Sequence, residues 1–327
     1  MAKIATTTEQ RLQSVEEKAK YRVTNWGKYN KSLVNRGSIT FWFDEDLGEN
    51  WYYDGPEKRG GQFVYSDVCI VGLLQIKAVF RLQYRQLEGF ASSILSMMNL
   101  DLQVPSYSQI SRRSQQVNVQ VSLPKSNEPL YIVFDSTGLK VYGEGEWKVR
   151  KHGISKRRTW RKLHLGVDEK TGLIQAQILT ENGPGDGDSQ QFTELLEQVE
   201  SQVDRVSGDG AYDTREIWSL LKEKGIEGII PPQENAVYWL DENGQLLDIG
   251  RNVVLQIIEQ KGRKEWKQQS GYHRRSLSET AMYRYKKIFG AELVSRKLES
   301  QKTEAAVKVV CLNKMTGIGM PVSKKIA

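Results

Sequence analysis

The pentapeptide YIVFD, residues 131 to 135, constrains the fold of this chain more than any other stretch. It is a short apolar run rich in β-branched and aromatic residues, preceded by the polar linker NVQVSLPKSNEP and closed by an acid. Such a run predicts a strand buried on both faces, which must find neighbours on either side. The downstream sequence supplies them. TWRKLHLGVD (159–168) and LIQAQILTEN (173–182) flank the turn EKTG and predict a hairpin. A helix follows at about 188–200, then RVSGDGAYD (205–213), a helix over 214–224, the strand IEGIIP and a closing helix. Three strands in hairpin order, then alternating helix and strand, predict a mixed α/β domain.

Before the linker the pattern is helical. Apolar residues recur at three and four from Asp67 to Met98, and VPSYSQISRRSQQV predicts a further helix capped by Ser106 or Ser108. Two helices, a turn with Pro105 and a basic helix bearing Arg112 and Arg113 point to a helix-turn-helix-like DNA-binding unit. Residues 1 to about 20 are polar and are expected to fray. The expected organisation is an N-terminal helical DNA-binding region over 1–125, a catalytic domain over 126–295 with a small insert at 232–268, and a tail over 296–327.

The chain has 327 residues and a net charge of +7, which favours a polyanionic partner, nucleic acid before a membrane surface. Two cysteines exclude a disulfide framework and a thiolate zinc site, and the three histidines lack metal-ligand spacing. No apolar run approaches the length of a membrane span, and an intracellular, reducing location is expected.

Three acids stand where active sites on such sheets are built. Asp135 ends the first strand, Asp209 ends the fourth, and Glu279 lies on the closing helix within YHRRSLSETAMYRYK (272–286). On a helix, Tyr272, Arg275, Glu279 and Lys286 form a polar stripe beside an apolar face of Leu277, Ala281, Met282, Tyr285, Ile288 and Phe289. Two carboxylates about 5 Å apart repel by roughly 3 kcal/mol at an effective dielectric of 20, so convergence requires protons or cations. A donor set of oxygen alone suits Mg²⁺ or Mn²⁺, and a pair of such ions supports in-line phosphoryl displacement. Basic segments flank the acids: residues 140–164 and 261–287 each carry nine Lys or Arg against two acids. Among the former, Arg157 and Arg158 are candidates for DNA contact.

Each acid has an ordinary alternative. Asp135 can bond to the next turn, Asp209 can form a turn with Gly210, and Glu279 can pair with Arg275. Asp213 rivals Asp209, although it begins the next helix and suits a cap. Asp188 suits the first turn of a helix, and His164 reads as a strand residue without chemistry.

YHRRSLSETAMYRYK resembles the Y-(2)-R-(3)-E-(6)-K signature of DDE insertion-sequence transposases through Tyr272, Arg275, Glu279 and Lys286. DSTGLKVYGEGEWKVRKHG and DGAYDT are similar to the blocks around that family's first and second aspartates. The resemblance implies an RNase H-like fold and a metal-binding triad of Asp135, Asp209 and Glu279 holding two Mg²⁺ or Mn²⁺ ions. It also implies DNA contacts from Tyr272, Arg275 and Lys286, double-stranded transposon ends and target DNA as partners, and a homo-oligomer on DNA. A prokaryotic, nucleoid-associated cytoplasmic location goes with it. A non-catalytic DNA-binding protein on the same scaffold is the alternative reading, and a tyrosine nucleophile at Tyr272 a further one.

Overall fold

The computed structural model describes residues 20–43, 45–56, 59–121, 123–141, 159–181, 183 and 185–326. Residues 1–19, expected to fray, and Arg157 and Arg158 lie outside the described residues. The chain divides into two compact units, Trp42–Lys314 and a smaller one made of Met1–Phe41 with Met315–Ala327.

In chain order the strands are β1 (Lys20–Val23), β2 (Leu130–Val141), β3 (Trp160–Asp168), β4 (Ile174–Thr180), β5 (Val203–Ser207), β6 (Glu227–Ile229), β7 (Glu292–Leu293) and β8 (Ser323–Ile326). The helices are α1 (Trp26–Asn35), α2 (Ile39–Trp42), α3 (Glu45–Glu49), α4 (Asp67–Phe80), α5 (Tyr84–Met97), α6 (Tyr107–Arg113), α7 (Asp188–Glu197) and α8 (Arg215–Lys224). They continue with α9 (Gly250–Lys261), α10 (Arg263–Gln269), α11 (Ser276–Phe289) and α12 (Leu298–Gly317).

The larger unit is organised around β2. The strand order is β4-β3-β2-β5-β6, with β7 pairing the end of β2. β3 and β4 run antiparallel to their neighbours, whereas β5 and β6 run parallel. Ile132, Val133 and Phe134 are fully buried, as a central strand covered on both faces requires. This is the mixed sheet flanked by helices that the element order predicts. The hairpin turn is held by Asp168, whose carboxylate accepts from Thr171 N and Oγ1 at 2.9 and 2.5 Å. Gly172 takes the left-handed φ of +68° that the turn needs. Edge strand β4 is closed by side-chain amides: Ile174 N donates to Asn313 Oδ1 (2.9 Å), and Gln177 N to Gln198 Oε1 (3.0 Å).

Alternation along β2 assigns its two faces. Ile132 and Phe134 join Phe192, Leu195 and Leu196 of α7 with Val206, Tyr212, Trp218 and Trp266 in one core. Asp135 and Thr137 face the other way, where Ser278 and Lys286 of α11 bond to them. N-caps set the helix starts: Ser66 Oγ accepts from Cys69 N, Ser106 from Gln109 N, and Thr214 from Ile217 N. Residues 298–314, read from the sequence as part of a tail, form a helix with Ala305, Val307, Val309, Cys311 and Leu312 buried. Its amphipathic pattern is hard to see because polar residues are buried too: Glu304 and Lys308 pair at 2.7 Å with side chains 9% and 6% exposed.

One close approach in the core tests this arrangement. A Cβ on Gly166 would lie 2.6 Å from Phe134 Cε1, and Phe134 in turn meets Phe192 edge-on at 5.1 Å between ring centroids. Gly166→Ala is expected to lower stability to urea by about 1–3 kcal/mol, and adding Phe134→Leu should recover part of that loss. If the double variant is no more stable than Gly166→Ala alone, the crowding is misplaced.

Candidate active site

The parallel register between β2 and β5 sets two acids at one level. Val133 pairs with Ser207, and two residues further along each chain, on the same face, come Asp135 and Asp209. β5 ends at Ser207, so Asp209 stands just beyond the strand as the cap of a 3-10 turn, its Oδ1 accepting from Ala211 N at 2.8 Å. Burial raises the pKa of Asp135, and the nearby charge of Asp209 adds to the rise. The Ser136 amide, Arg275 and Ser278 oppose it.

The third acid arrives from the other side. The stripe helix inferred from the sequence is in two parts: Tyr272–Arg275 form a 3-10 turn, and α11 begins at Ser276. Gly271, at φ +73°, opens the turn, and Tyr272 packs against Trp266 at 5.8 Å between centroids. This change of helix type swings Arg275 between two carboxylates. Its Nη1 donates to Asp135 Oδ2 at 2.9 Å and its Nη2 to Glu279 Oε1 at 2.8 Å. Ser278 Oγ also donates to Asp135 Oδ2, at 3.0 Å. Ser278 is fully buried, and nothing in the sequence marks it, because a serine one residue before the acid belongs to no motif. Lys286 Nζ donates to Thr137 Oγ1 at 2.6 Å, and burial lowers its pKa.

Asp135 is 14% exposed at the side chain and Glu279 is 58% exposed, so one acid is a wall and the other a rim. Among the described residues no group of three His, Cys, Asp or Glu side chains stands ready-made for a metal ion. The positive charge between Asp135 and Glu279 is that of Arg275. Asp135, Asp209 and Glu279 each offer carboxylate oxygens, a chemistry that suits a hard divalent ion such as Mg²⁺ or Mn²⁺.

The neighbouring acids are engaged elsewhere. Asp213 does not cap α8, a role Thr214 takes. Its Oδ1 accepts from Arg251 Nε and Trp218 Nε1, both at 2.9 Å, and the Asp213 and Arg251 side chains are 2% and 5% exposed. Arg251 also lies over the Trp239 ring at 4.0 Å, so this pair ties the insert to the core. Asp188 begins α7 on the opposite face of the sheet, bonded to Lys162 at 2.9 Å and lying 3.1 Å from His164 Nδ1. Burial pushes its pKa up, but His164, Ser136 and Lys162 outweigh it and hold it low. His164 is thus an internal partner of Asp188 and Thr180. Glu169, buried on the Asp135 face, lies 3.4 Å from Arg274 Nη1 and accepts from Ser207 Oγ at 3.4 Å.

The sequence-predicted DNA contacts fall in different places. Arg112 is exposed on α6. Arg113 turns inward, donating to Tyr65 O at 2.9 Å, pairing with Asp67 and lying over the Phe63 ring. Tyr272 is half-buried, and burial raises its phenol pKa, with Arg275 opposing. Among the described residues no helix is long and apolar enough to cross a membrane.

A family model described as a transposase DDE domain matches residues 126–314, more than half of the chain. The chain belongs to this family. A second model of the same description matches residues 34–144. Among solved structures, the piggyBac transposase synaptic complex with hairpin DNA is similar at 10% identity, covering 86% of this chain and 73% of that one, with a TM-score of 0.40. The Drosophila P element transposase strand transfer complex matches at 11% identity over 93% of this chain and 63% of that one, TM-score 0.29. The Mos1 strand transfer complex matches at 13% identity over 69% and 79%, TM-score 0.23.

The two aspartates of this transposase should respond differently to substitution. Removing the negative charge of Asp209 with Asp209→Asn is expected to lower the pKa of Asp135, read by carboxyl ¹³C NMR, with little change in stability. Asp213→Ala strands a buried guanidinium and should cost about 3–5 kcal/mol in urea unfolding. A stable Asp213→Ala protein, or an unmoved Asp135 resonance, would reverse these assignments.

Proposed function

We propose that this transposase cleaves and joins DNA at Asp135, Asp209 and Glu279. The arrangement that carries the reading is the single Arg275 guanidinium shared by Asp135 and Glu279 on the sheet face that Asp209 also reaches. The three carboxylates would hold two Mg²⁺ or Mn²⁺ ions, which supply activation of a water or 3′ hydroxyl and stabilisation of the leaving oxygen in an in-line phosphoryl displacement.

The chain's own residues do the rest. Ser278 and the Ser136 amide fix the Asp135 carboxylate beside Arg275, which also holds Glu279. Arg275 neutralises the repulsion between those acids and, as a planar fork, suits a phosphate oxygen when DNA approaches. Lys286, partly desolvated beside Thr137, holds an ammonium whose charge a phosphate would stabilise. Tyr272, Arg275, Glu279 and Lys286 act in this reading as the Y-(2)-R-(3)-E-(6)-K signature, with Tyr272, Arg275 and Lys286 orienting transposon-end phosphates. The burial that raises the Tyr272 phenol pKa favours a positioning role over that of a nucleophile.

Further DNA contact is assigned to the N-terminal helical region up to about residue 125, with exposed Arg112, and to Arg157 and Arg158. Joining two ends to one target requires two active sites, so a homo-oligomer on DNA is part of the proposal, as is a nucleoid-associated location.

Glu279→Gln is expected to reduce cleavage of transposon-end DNA in Mg²⁺ at least about a hundredfold while leaving DNA binding intact, since a missing ligand costs several kcal/mol of transition-state stabilisation. Unchanged cleavage would remove Glu279 from the chemistry. Wild-type protein that binds ends and never cuts them would favour the non-catalytic scaffold, and a trapped phosphotyrosine at Tyr272 would favour covalent catalysis.

A further inference from the structure

The net charge of the chain is concentrated in its smaller unit. Met1–Phe41 and Met315–Ala327 together contain ten Lys or Arg and three Glu. The whole chain has 47 basic and 40 acidic residues, so the larger unit is left with 37 of each sign and no net charge. Between Lys20 and Phe41, and between Met315 and Ile326, there is no Asp or Glu at all.

Four of these cations, Lys20, Arg22, Lys324 and Lys325, belong to a two-stranded ribbon of β1 and β8. β1 and β8 pair antiparallel, with Arg22 opposite Lys324 and Tyr21 opposite Lys325. Directly opposed residues share a face and interact, and like charges there are unfavourable. One face of the ribbon therefore bears an Arg–Lys pair with no ion-pair partner among the described residues, and the other bears a lysine beside an aromatic. α1 adds exposed Lys28 and Lys31, and the aromatics Tyr21 and Trp26 are 65% and 59% exposed. The bonds that join the ends use none of these side chains. Thr24 N and Oγ1 donate to Val322 O at 2.8 and 3.0 Å, Asn25 Nδ2 to Met320 O at 2.9 Å, and Val322 N to Asn25 Oδ1 at 2.8 Å. Arg36, which follows the last residue of α1, adds a bond from Nη2 to Gly319 O at 3.2 Å. The fold of the unit is thus maintained without the exposed cations of the ribbon, which weaken it.

We infer that this composite terminal unit is a duplex-DNA-binding module, in which the phosphate backbone supplies the anions that the ribbon lacks. A two-stranded ribbon fits the major groove of B-form DNA. Cations on both faces meet phosphates on both walls, and the contacts are made to the backbone without reading bases. The module exists only when β8 returns to β1, so loss of the last few residues should impair DNA binding as directly as loss of the first strand. This rests on the DNA contact proposed above for the N-terminal region and gives it a surface, but it is independent of the carboxylate site, whose failure in the cleavage test would leave it standing.

The test uses the full chain without divalent ions, so that cleavage plays no part. Affinity for a duplex of arbitrary sequence is measured against salt for wild type, for Arg22→Gln/Lys324→Gln/Lys325→Gln, and for a matched neutralisation of exposed Lys170, Lys224 and Lys302. The ribbon variant should lower the slope of log K against log salt by about 2–3, at about 0.9 for each phosphate that is no longer neutralised, and weaken binding at least about tenfold near 0.15 M salt. Its Tm should stay equal or rise, because the Arg22–Lys324 opposition is relieved. The matched variant should change the slope by less than about 1. Equal effects from both variants would reduce the inference to overall charge, and an unchanged slope in a folded ribbon variant would overturn it. Loss of binding to phosphatidylserine vesicles with duplex binding unchanged would assign the ribbon to a membrane surface instead.

Discussion

The architecture around the candidate site depends on one electrostatic problem, the crowding of carboxylates on a single face of a sheet. Two such charges about 5 Å apart oppose each other by roughly 3 kcal/mol at an effective dielectric of 20. Arg275 meets the problem by donating to Asp135 and Glu279 at once. Its position follows from the 3-10 turn Tyr272–Arg275 that precedes α11. That turn is anchored by the Trp266–Tyr272 contact on one side and by Arg274 beside buried Glu169 on the other. Local backbone geometry, aromatic packing and a buried acid thus converge on the placement of one guanidinium.

The acids in this region fall into two physical kinds. Asp213, Asp188 and Glu304 are enclosed and closely partnered: Asp213 by Arg251 and Trp218, Asp188 by Lys162 and His164, Glu304 by Lys308 and two backbone amides. Removing such a partner exposes the full cost of a buried charge, which is why these groups read as architecture. Glu279 is more than half exposed and shares its only described partner with Asp135, while Asp209 caps a single short turn. Acids held so lightly would keep the coordination capacity that the proposed function asks of them, and this separates them from the structural set more clearly than position along the chain does.

Charge is distributed on a second scale. The larger unit is balanced overall, although it carries basic runs on either side of the acids, whereas the smaller unit carries the whole excess. A balanced catalytic unit limits self-repulsion in a domain that already gathers carboxylates. An unbalanced small unit would, in the module inferred above, provide long-range attraction to a polyanion without burdening the core.

Much of this was readable in the chain itself. The apolar run ending at Asp135, the EKTG turn and the alternating helix and strand that follow determined the sheet, because period and turn chemistry act over a few residues. Ser106 announced a helix start for the same reason, whereas the cap of α8 fell to Thr214 and not to Asp213. The spacing of Tyr272, Arg275, Glu279 and Lys286 carried the family resemblance. What only the tertiary structure decided were long-range pairings: Arg275 between Asp135 and Glu279, Asp213 committed to Arg251, His164 to Asp188, and β1 to β8 at the far end of the chain. No local pattern encodes such contacts, since each depends on which faces the packed sheet and helices turn toward one another.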